Sequence, residues 1–443
     1  MKKTAWLLST LFVSASLHAA DLMQIYRAAQ DNDPNFAAAR ASRDAGIEKR
    51  PQGLAGLLPT LGASGNTTWN EVDIKSGSLS NRSNYNSNGY AVTLSQPLFR
   101  WQNWAAYGQG KLLAAQAEAN FVQAKQDLIL RASQAYFDLL YAQESLLAVQ
   151  ANKVAISQQL EQAKKNFEVG TATITDTHEA QARFDLASAQ EIAAESELEV
   201  RRRALQAIIA KEPGPLAPPR ADATPTPPQP AAMEKWVEAA ETGAVSVQVQ
   251  QAALEIAEKE VQKQRAGHLP TVDIVASTGK SKTLSQSIAT PGAIPETNYN
   301  SVGIQVNIPL FQGGYVMSKD REAVANRRAA ESQLEATKRA AVLAARQYYL
   351  GVVNGVAQVK ALEAGLASSK LALESNRLGY EVGVRINIDV LNAEQQVYST
   401  RRDLAKAKYD TLMAQLRLKA AVGSLGDDDV AKINALLDPT AAK

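Results

Sequence analysis

Apolar residues recur along this chain with two different periods, and the switches between them mark out its elements. Phe121, Ala124, Leu128, Ala132, Ala135, Leu139, Ala142, Leu146 and Val149 step by three or four, the spacing that lines one face of an α-helix. Leu334, Thr337, Ala341, Ala345, Tyr348, Val352, Gly355, Val359 and Leu362 repeat that spacing 213 positions later (334 minus 121). Many of these residues are small, which lets helices approach closely in a coiled-coil wall. No proline falls between Trp101 and Glu212 or between Leu310 and Leu437. The pattern predicts a long helix over about 103–169 with a second over about 175–210, and a matching pair over about 315–382 and 389–422. At 1.5 Å per residue each long helix runs roughly 100 Å, beyond any globular core. Gly170 and Gly383 come after the two long helices, where a residue with easy access to the left-handed conformation ends a helix. Thr173 with Asp176, and Asp176 with Glu179, have the spacing of capping pairs.

Between the helical stretches the period falls to two. Val302, Ile304, Val306 and Ile308 alternate with Ser301, Gly303, Gln305 and Asn307. Val272, Ile274 and Ala276 alternate with Thr271, Asp273 and Ser277, with Val275 out of pattern. Tyr90, Val92 and Leu94 alternate with Ala91, Thr93 and Ser95, and a weaker segment from Leu61 to Val72 carries Thr67 and Trp69. These read as strands of about ten residues, the length that crosses a bilayer when tilted. Polar stretches over 73–88 and 279–300 read as their connecting loops. One hairpin falls at about 60–97 and another at about 271–309, four strands in all. Four strands cannot close a barrel, and lipid tolerates no open edge. If they enter lipid the chain must oligomerise, and three copies give twelve strands.

The landmarks repeat in order. Pro59 matches Pro270 (270 minus 59 is 211), Gln96–Phe99 matches Ile308–Phe311 (308 minus 96 is 212), and "FEVGTATITD" from Phe167 matches "YEVGVRINID" from Tyr380 (380 minus 167 is 213). A nearly constant offset implies an internal duplication. It divides the chain into a first repeat over 20–210, a proline-rich connector over 211–230, a second repeat over 231–426 and a tail over 427–443. The connector carries eight prolines and reads as an extended spacer.

Composition narrows the function. The chain starts with Lys2 and Lys3, an apolar run from Ala5 to Leu17 and the small residues Ala19 and Ala20, the layout of a signal peptide (1–19) cleaved after Ala19 or Ala20. No other segment has the length of a transmembrane helix. Those two lysines account for the net charge of +2, so nucleic-acid binding has no support. With no cysteine and only His18, His178 and His268, the chain suits neither a disulfide framework nor a metal centre. It shows no Ser-His-Asp set and no phosphate-binding glycine loop, so no enzyme activity and no cofactor is expected.

The start "DLMQIYRAAQDNDP", "GHLPTVDIVASTG", "IPLFQGG" and the two Glu-Val-Gly turns resemble the TolC family of outer-membrane channels, in order, from Asp21 to about Gly426. The resemblance implies an α+β membrane protein: a homotrimer with a twelve-strand barrel in outer-membrane lipid and an α-helical periplasmic tunnel. It implies an exit duct for tripartite efflux or type I secretion, with a periplasmic adaptor and an inner-membrane transporter as partners. It also places the two turns at a periplasmic gate. Tyr380 and Arg385 match the closing pair, Thr175 and Asp176 their partners, and Asp389 an acidic constriction. Asn392 departs from that pattern, in which a second Asp stands one turn on, so a trimer would present three carboxylates there instead of six. Arg385 can fork onto Asp176 or a Thr hydroxyl. Asp176 and Asp389 also suit simple helix capping. The rival to a duct is a soluble periplasmic coiled coil acting as a structural or adaptor protein.

Overall fold

The computed structural model describes residues 19–440 apart from 77–78, 172, 221–222, 284–293 and 439. The signal-peptide segment before Ala19 lies outside the described residues. The chain forms two compact units, and neither corresponds to one repeat. Residues 40–121 and 246–338 make the first; residues up to 39, 122–245 and 339–443 make the second. Each unit thus draws elements from both repeats.

The first unit carries the sheet. Its strands are β1 (Thr60–Ser76), β2 (Leu79–Phe99), β3 (Thr271–Lys282) and β4 (Glu296–Asn307), antiparallel throughout and ordered β1-β2-β3-β4. Leu61 pairs with Leu94, Leu94 with Ala276 and Ala276 with Val302, so one apolar row crosses all four strands. That face is open: Leu61 is 72% exposed, Val302 81% and Ile304 69%. The other face is polar, with Gly62, Thr93, Ser277 and Ser301 in register and a 2.8 Å hydrogen bond between the Ser277 and Ser301 hydroxyls. Val275 lies on this polar face, between Ser95 and Gly303. β1 and β4 are edges, each with an outward row of backbone groups that pairs with no other strand among the described residues.

The strands correct the loop boundaries. Residues 73–88 are mostly strand, because β1 and β2 stay paired out to Ser76 and Leu79. Beyond Asn88, the last β2 residue paired with β3, the first hairpin continues as a two-stranded ribbon. Cross-strand bonds hold this polar ribbon, among them Arg82 to Glu71 at 3.1 Å and Asn70 to Ser87 at 2.8 Å. β3 likewise runs to Lys282 and β4 starts at Glu296, whose carboxylate meets both Lys280 and Lys282. Polar composition misled because antiparallel pairing satisfies backbone groups whatever the side chains are.

Where strand gives way to helix, Arg100 donates from Nε and Nη2 to the two carboxylate oxygens of Asp273, both at 2.7 Å. This fork fastens the end of β2 to the start of β3, joining the two repeats. The unit also holds the later part of α2 (Pro34–Ile47), α3 (Lys49–Ala55), most of α7 (Val245–Arg265) and the first parts of α4 (Trp101–Glu168) and α8 (Tyr315–Glu381).

The second unit is helical. Its main members are the later parts of α4 and α8 with α5 (Ile174–Ile209) and α9 (Asn387–Ala421). Lys153–Glu191 at 2.6 Å and Arg201–Asp138 at 3.2 Å join α4 to α5. Phe137 of α4 stacks on Tyr409 of α9 at 5.5 Å, and Lys408 of α9 meets Glu363 of α8 at 2.9 Å. α4 thus meets both α5 and α9, and α9 meets α8; nearer the turns α5 also reaches α9, where Ala187 packs against Leu391. A Cβ on Gly355 would come within 3.1 Å of the Thr411 side chain, so the small residue sets how closely α8 and α9 pack. Leu334, Ala341, Ala345, Val352 and Val359 are all buried along α8.

Around these helices lie α1 (Leu22–Asn32), α6 (Met233–Gly243), α10 (Asp427–Asn434) and the proline-rich segment. That segment is no free spacer. Ala20 donates to the Pro215 carbonyl at 2.7 Å, Ala217 donates to Ala20 at 3.1 Å, and Asp438 donates to Pro218 at 2.8 Å. Leu216 and Ala217 are fully buried, and the Tyr136 hydroxyl donates to the Ala217 carbonyl at 2.6 Å. Burial drives the pKa of that hydroxyl up, which keeps it a donor. Proline fits here because an extended strap needs few N–H donors.

Asp273 is 5% exposed, and removing its carboxylate takes both hydrogen bonds from an Arg100 side chain that water still reaches. Asp273→Ala is expected to cost about 2 kcal/mol, measured by urea unfolding of the detergent-solubilised protein.

Candidate functional site

The two long helices of the helical unit end in the same backbone motif. After α4, Gly170 (φ 78°) donates to the Phe167 carbonyl at 3.0 Å and Thr171 donates to Asn166 at 2.8 Å. After α8, Gly383 (φ 75°) donates to Tyr380 at 3.1 Å and Val384 donates to Gly379 at 2.8 Å. Both are Schellman turns, with the glycine in the left-handed conformation that a side chain would strain.

The next helices, α5 and α9, start differently. Thr173 caps α5: its backbone N–H and hydroxyl donate to the Asp176 carboxylate at 3.0 and 2.8 Å, and Asp176 N–H donates back to the hydroxyl. Asp176 is thus engaged in a capping box with Thr173. In the second repeat Ile386 stands at the N-cap of α9 and has no side chain to cap with. Asp389, the counterpart of Asp176, therefore makes another contact, and Arg385 Nη1 approaches its carboxylate to 3.5 Å. One Thr-to-Ile difference between the repeats turns a carboxylate held in a cap into one that meets a guanidinium.

The remaining residues divide between exposed positions and contacts that sequence reasoning did not name. Tyr380 is half-buried and its hydroxyl accepts from Asn166 Nδ2 at 3.1 Å, so within one chain it reaches across to the end of α4. Thr175 is exposed on the first turn of α5. Asn392 is exposed on α9 and its side-chain oxygen accepts from Arg183 Nη2 at 2.9 Å, while Arg183 Nη1 donates to Gln395 at 3.3 Å. Arg183 of α5 also lies 3.6 Å from Glu179. The structure thus brings Tyr380, Arg385, Asp389 and Asn392 together at the α8–α9 turn. Within one chain Arg385 meets Asp389, not the Asp176 or Thr175 that the sequence offered it.

Deeper in, Glu394 of α9 is 1% exposed and accepts from Arg377 of α8 and from Gln159 Nε2 of α4 at 2.9 Å. Its burial and its position after the buried Val390 and Leu391 mark it as a charge on an apolar face, the signal that could have singled it out. Burial, and then the Glu394 charge, raise the pKa of the neighbouring Tyr398 hydroxyl. Among the described residues no cluster has the ligands for a metal ion.

Known proteins resemble this chain in sequence and in fold. The chain is 31% identical over 432 residues to the outer membrane protein TolC of Vibrio cholerae, covering 96% of this chain and 97% of that one. It is 33% identical to the alkaline protease secretion protein AprF of Pseudomonas aeruginosa, covering 96% and 89%. It is 32% identical to TolC of Escherichia coli, covering 96% and 86%. Among solved structures, CusC superposes with a TM-score of 0.77 at 16% identity, covering 92% of this chain and 93% of that one. The open state of the MtrE channel of Neisseria gonorrhoeae gives 0.72 at 20%, covering 92% and 91%. The family described as outer membrane efflux protein matches residues 25–211 and 236–424, one stretch in each repeat. With its relatives above 30% identity and both repeats matched, the chain belongs to that outer membrane efflux protein family.

Proposed function

We propose that this protein is an outer-membrane exit duct for tripartite efflux or type I secretion, constricted at its periplasmic mouth by the α8–α9 turn. The observation that carries the reading is the sheet: an open apolar row, a polar opposite face and two unpaired edges. In lipid those edges must be closed, and a homotrimer closes them in a twelve-strand barrel with the polar face inward. Among the described residues no helix is long and apolar enough to cross a membrane, so the strands are the membrane-spanning candidates. An apolar sheet face this open disfavours the soluble coiled-coil adaptor.

Exposed seams on the helices suit the same assembly. Leu343, Leu350, Leu371 and Leu378 are exposed on α8 at multiples of seven residues, and Leu186, Ile192 and Val200 are exposed on α5. These exposed apolar stretches on α5 and α8 are where each helix can meet the next copy in a closed ring. A heptad-spaced leucine stripe is what a supercoiled partner helix takes up.

A duct has no energy source of its own, and the sequence carries no phosphate-binding glycine loop or Ser-His-Asp set, which supports a transport role over an enzymatic one. Active export then needs an inner-membrane transporter and an adaptor to join the two. The names of relatives point the same way: two are protease secretion proteins and one is an efflux protein.

At the mouth, Tyr380 and Arg385 carry the closing contacts, with Thr175 and Asp176 on the facing turn. In a threefold ring the Arg385 side chain, 58% exposed, is free to exchange Asp389 for a carboxylate of the next protomer. Asp389 and Asn392 line the narrowest part. The double variant Tyr380→Phe, Arg385→Ser is expected to raise single-channel conductance in planar bilayers several-fold; an unchanged conductance from intact trimers moves the constriction elsewhere. Asp389→Asn removes three carboxylates per trimer and is expected to lower the preference for cations over anions by about twofold or more, read from reversal potentials in a salt gradient.

A further inference from the structure

One cavity of the helical unit belongs neither to the turns nor to the strap. Its volume is about 460 Å³, and it lies where α4, α5 and α9 meet. Leu130, Ile208 and Met413 give it an apolar wall, and Arg131, Arg201 and Arg417 stand around that wall. A space of this size is within the range that takes small organic molecules.

The helix period shows where the cavity opens. Tyr136 of α4 turns to the proline-rich strap, where its hydroxyl meets the Ala217 carbonyl. Gln134 and Asp138, which both line the cavity, stand two residues to either side of Tyr136. Two residues are about 200° round an α-helix, so the cavity lies on the face of α4 turned away from the strap. In a closed ring the strap, as an added layer, has room on the outer side, where the circumference is larger. The cavity then faces the bore.

The three arginines are not alike. Arg131 donates from Nη1 and Nη2 to the two oxygens of the buried Asp33, at 3.2 and 3.1 Å. Arg201 donates to Glu197 at 2.6 Å and to Asp138 at 3.2 Å. Arg417 is half-buried on α9 and meets no carboxylate among the described residues. Its Nη2 donates to the Gln134 side-chain oxygen at 2.8 Å, and the Gln134 amide donates in turn to Asp138 at 2.6 Å. That bond steadies the guanidinium and leaves its other donors for a further acceptor. A guanidinium stays charged at any working pH, so one drawn partly out of water beside an apolar wall favours an anion.

We propose that this cavity binds an amphipathic anion, an apolar body with one carboxylate or sulfonate head. Arg417 takes the head, and Leu130, Ile208 and Met413 take the body. The inference rests on the reading of the protein as a duct, because that reading makes the wall a place where cargo rests on its way out. A bare anion would leave the apolar wall wet, and a cation would meet the uncompensated guanidinium. A trimer carries one such site in each copy.

The test is isothermal titration of purified full-length trimers in lipid nanodiscs with octane-1-sulfonate. Empty nanodiscs serve as the blank, and electrophoretic mobility checks assembly. One saturable site per chain is expected. Arg417→Gln is expected to weaken binding about tenfold, in line with the loss of a hydrogen bond to a charged group, and Arg417→Lys, which keeps the charge, by less. Ala204→Leu, which fills part of the apolar wall, is expected to weaken binding too, and it is read alone if the arginine variants do not assemble. Methanesulfonate lacks the apolar body and octyltrimethylammonium reverses the charge; each is expected to bind about tenfold more weakly or worse. Equal binding by parent and variants, or equal binding of either control compound, would overturn the proposal. Single-channel recording of the same preparations separates the site from the duct. Trimers that conduct and do not bind remove the site and leave the duct. Trimers that bind with this dependence and do not conduct remove the duct and leave a ligand site on the helical unit.

Discussion

Everything in this protein depends on a sheet that cannot finish itself. Four antiparallel strands leave the outward N–H and C=O groups of β1 and β4 without strand partners among the described residues, and hydrocarbon offers none. The same sheet exposes an apolar row from Leu61 to Val302 that water does not favour. Lipid satisfies the row, and only further copies satisfy the edges. Oligomerisation is thus a condition of the membrane-embedded fold.

Duplication supplies the parts, and small departures from it supply the function. β2 and β3 come from different repeats yet pair at the centre of the sheet, and the Arg100–Asp273 fork joins the repeats where strand becomes helix. The two Schellman turns are alike in hydrogen bonding and in the positive φ of their glycines. The helices after them begin with different caps. Thr173 captures Asp176 in a cap, whereas Ile386 leaves Asp389 to Arg385. The proline-rich segment between repeats is likewise put to use, as a strap pinned to both the N-terminal and C-terminal ends of the helical unit.

Polar groups inside the helical unit are placed where movement has to be limited. Asp33 with Arg131 fastens α1 to α4, Tyr136 fastens α4 to the strap, and Glu394 fastens α9 to both α8 and α4. Apolar packing between small residues, as at Gly355 against Thr411, is non-directional and tolerates sliding. A buried charge tolerates almost none, because any displacement leaves it unpaired.

The sequence by itself was enough for the period-3.6 and period-2 stretches, the duplication and the two turn glycines, because each depends on residues close along the chain. Leu334, Ala341, Ala345, Val352 and Val359 fall on one face by spacing alone, and all are buried. Strand limits were less legible: Asn- and Ser-rich residues over 73–88 look like loop, yet the ladder between β1 and β2 carries 73–76 and 79–88 as strand. The strap was misread for the same reason, since its partners Ala20 and Asp438 lie about 200 residues away in either direction. Tertiary structure alone decided which carboxylates cap, which pair and which tie. Asp176 and Asp389 look equivalent by offset, and only the geometry separates a capping box from an exposed ion pair. Glu394 is 17 positions from Arg377 and 235 from Gln159, and no periodicity in the chain brings a carboxylate, an amide and a guanidinium to one point; the packing of α4, α8 and α9 does.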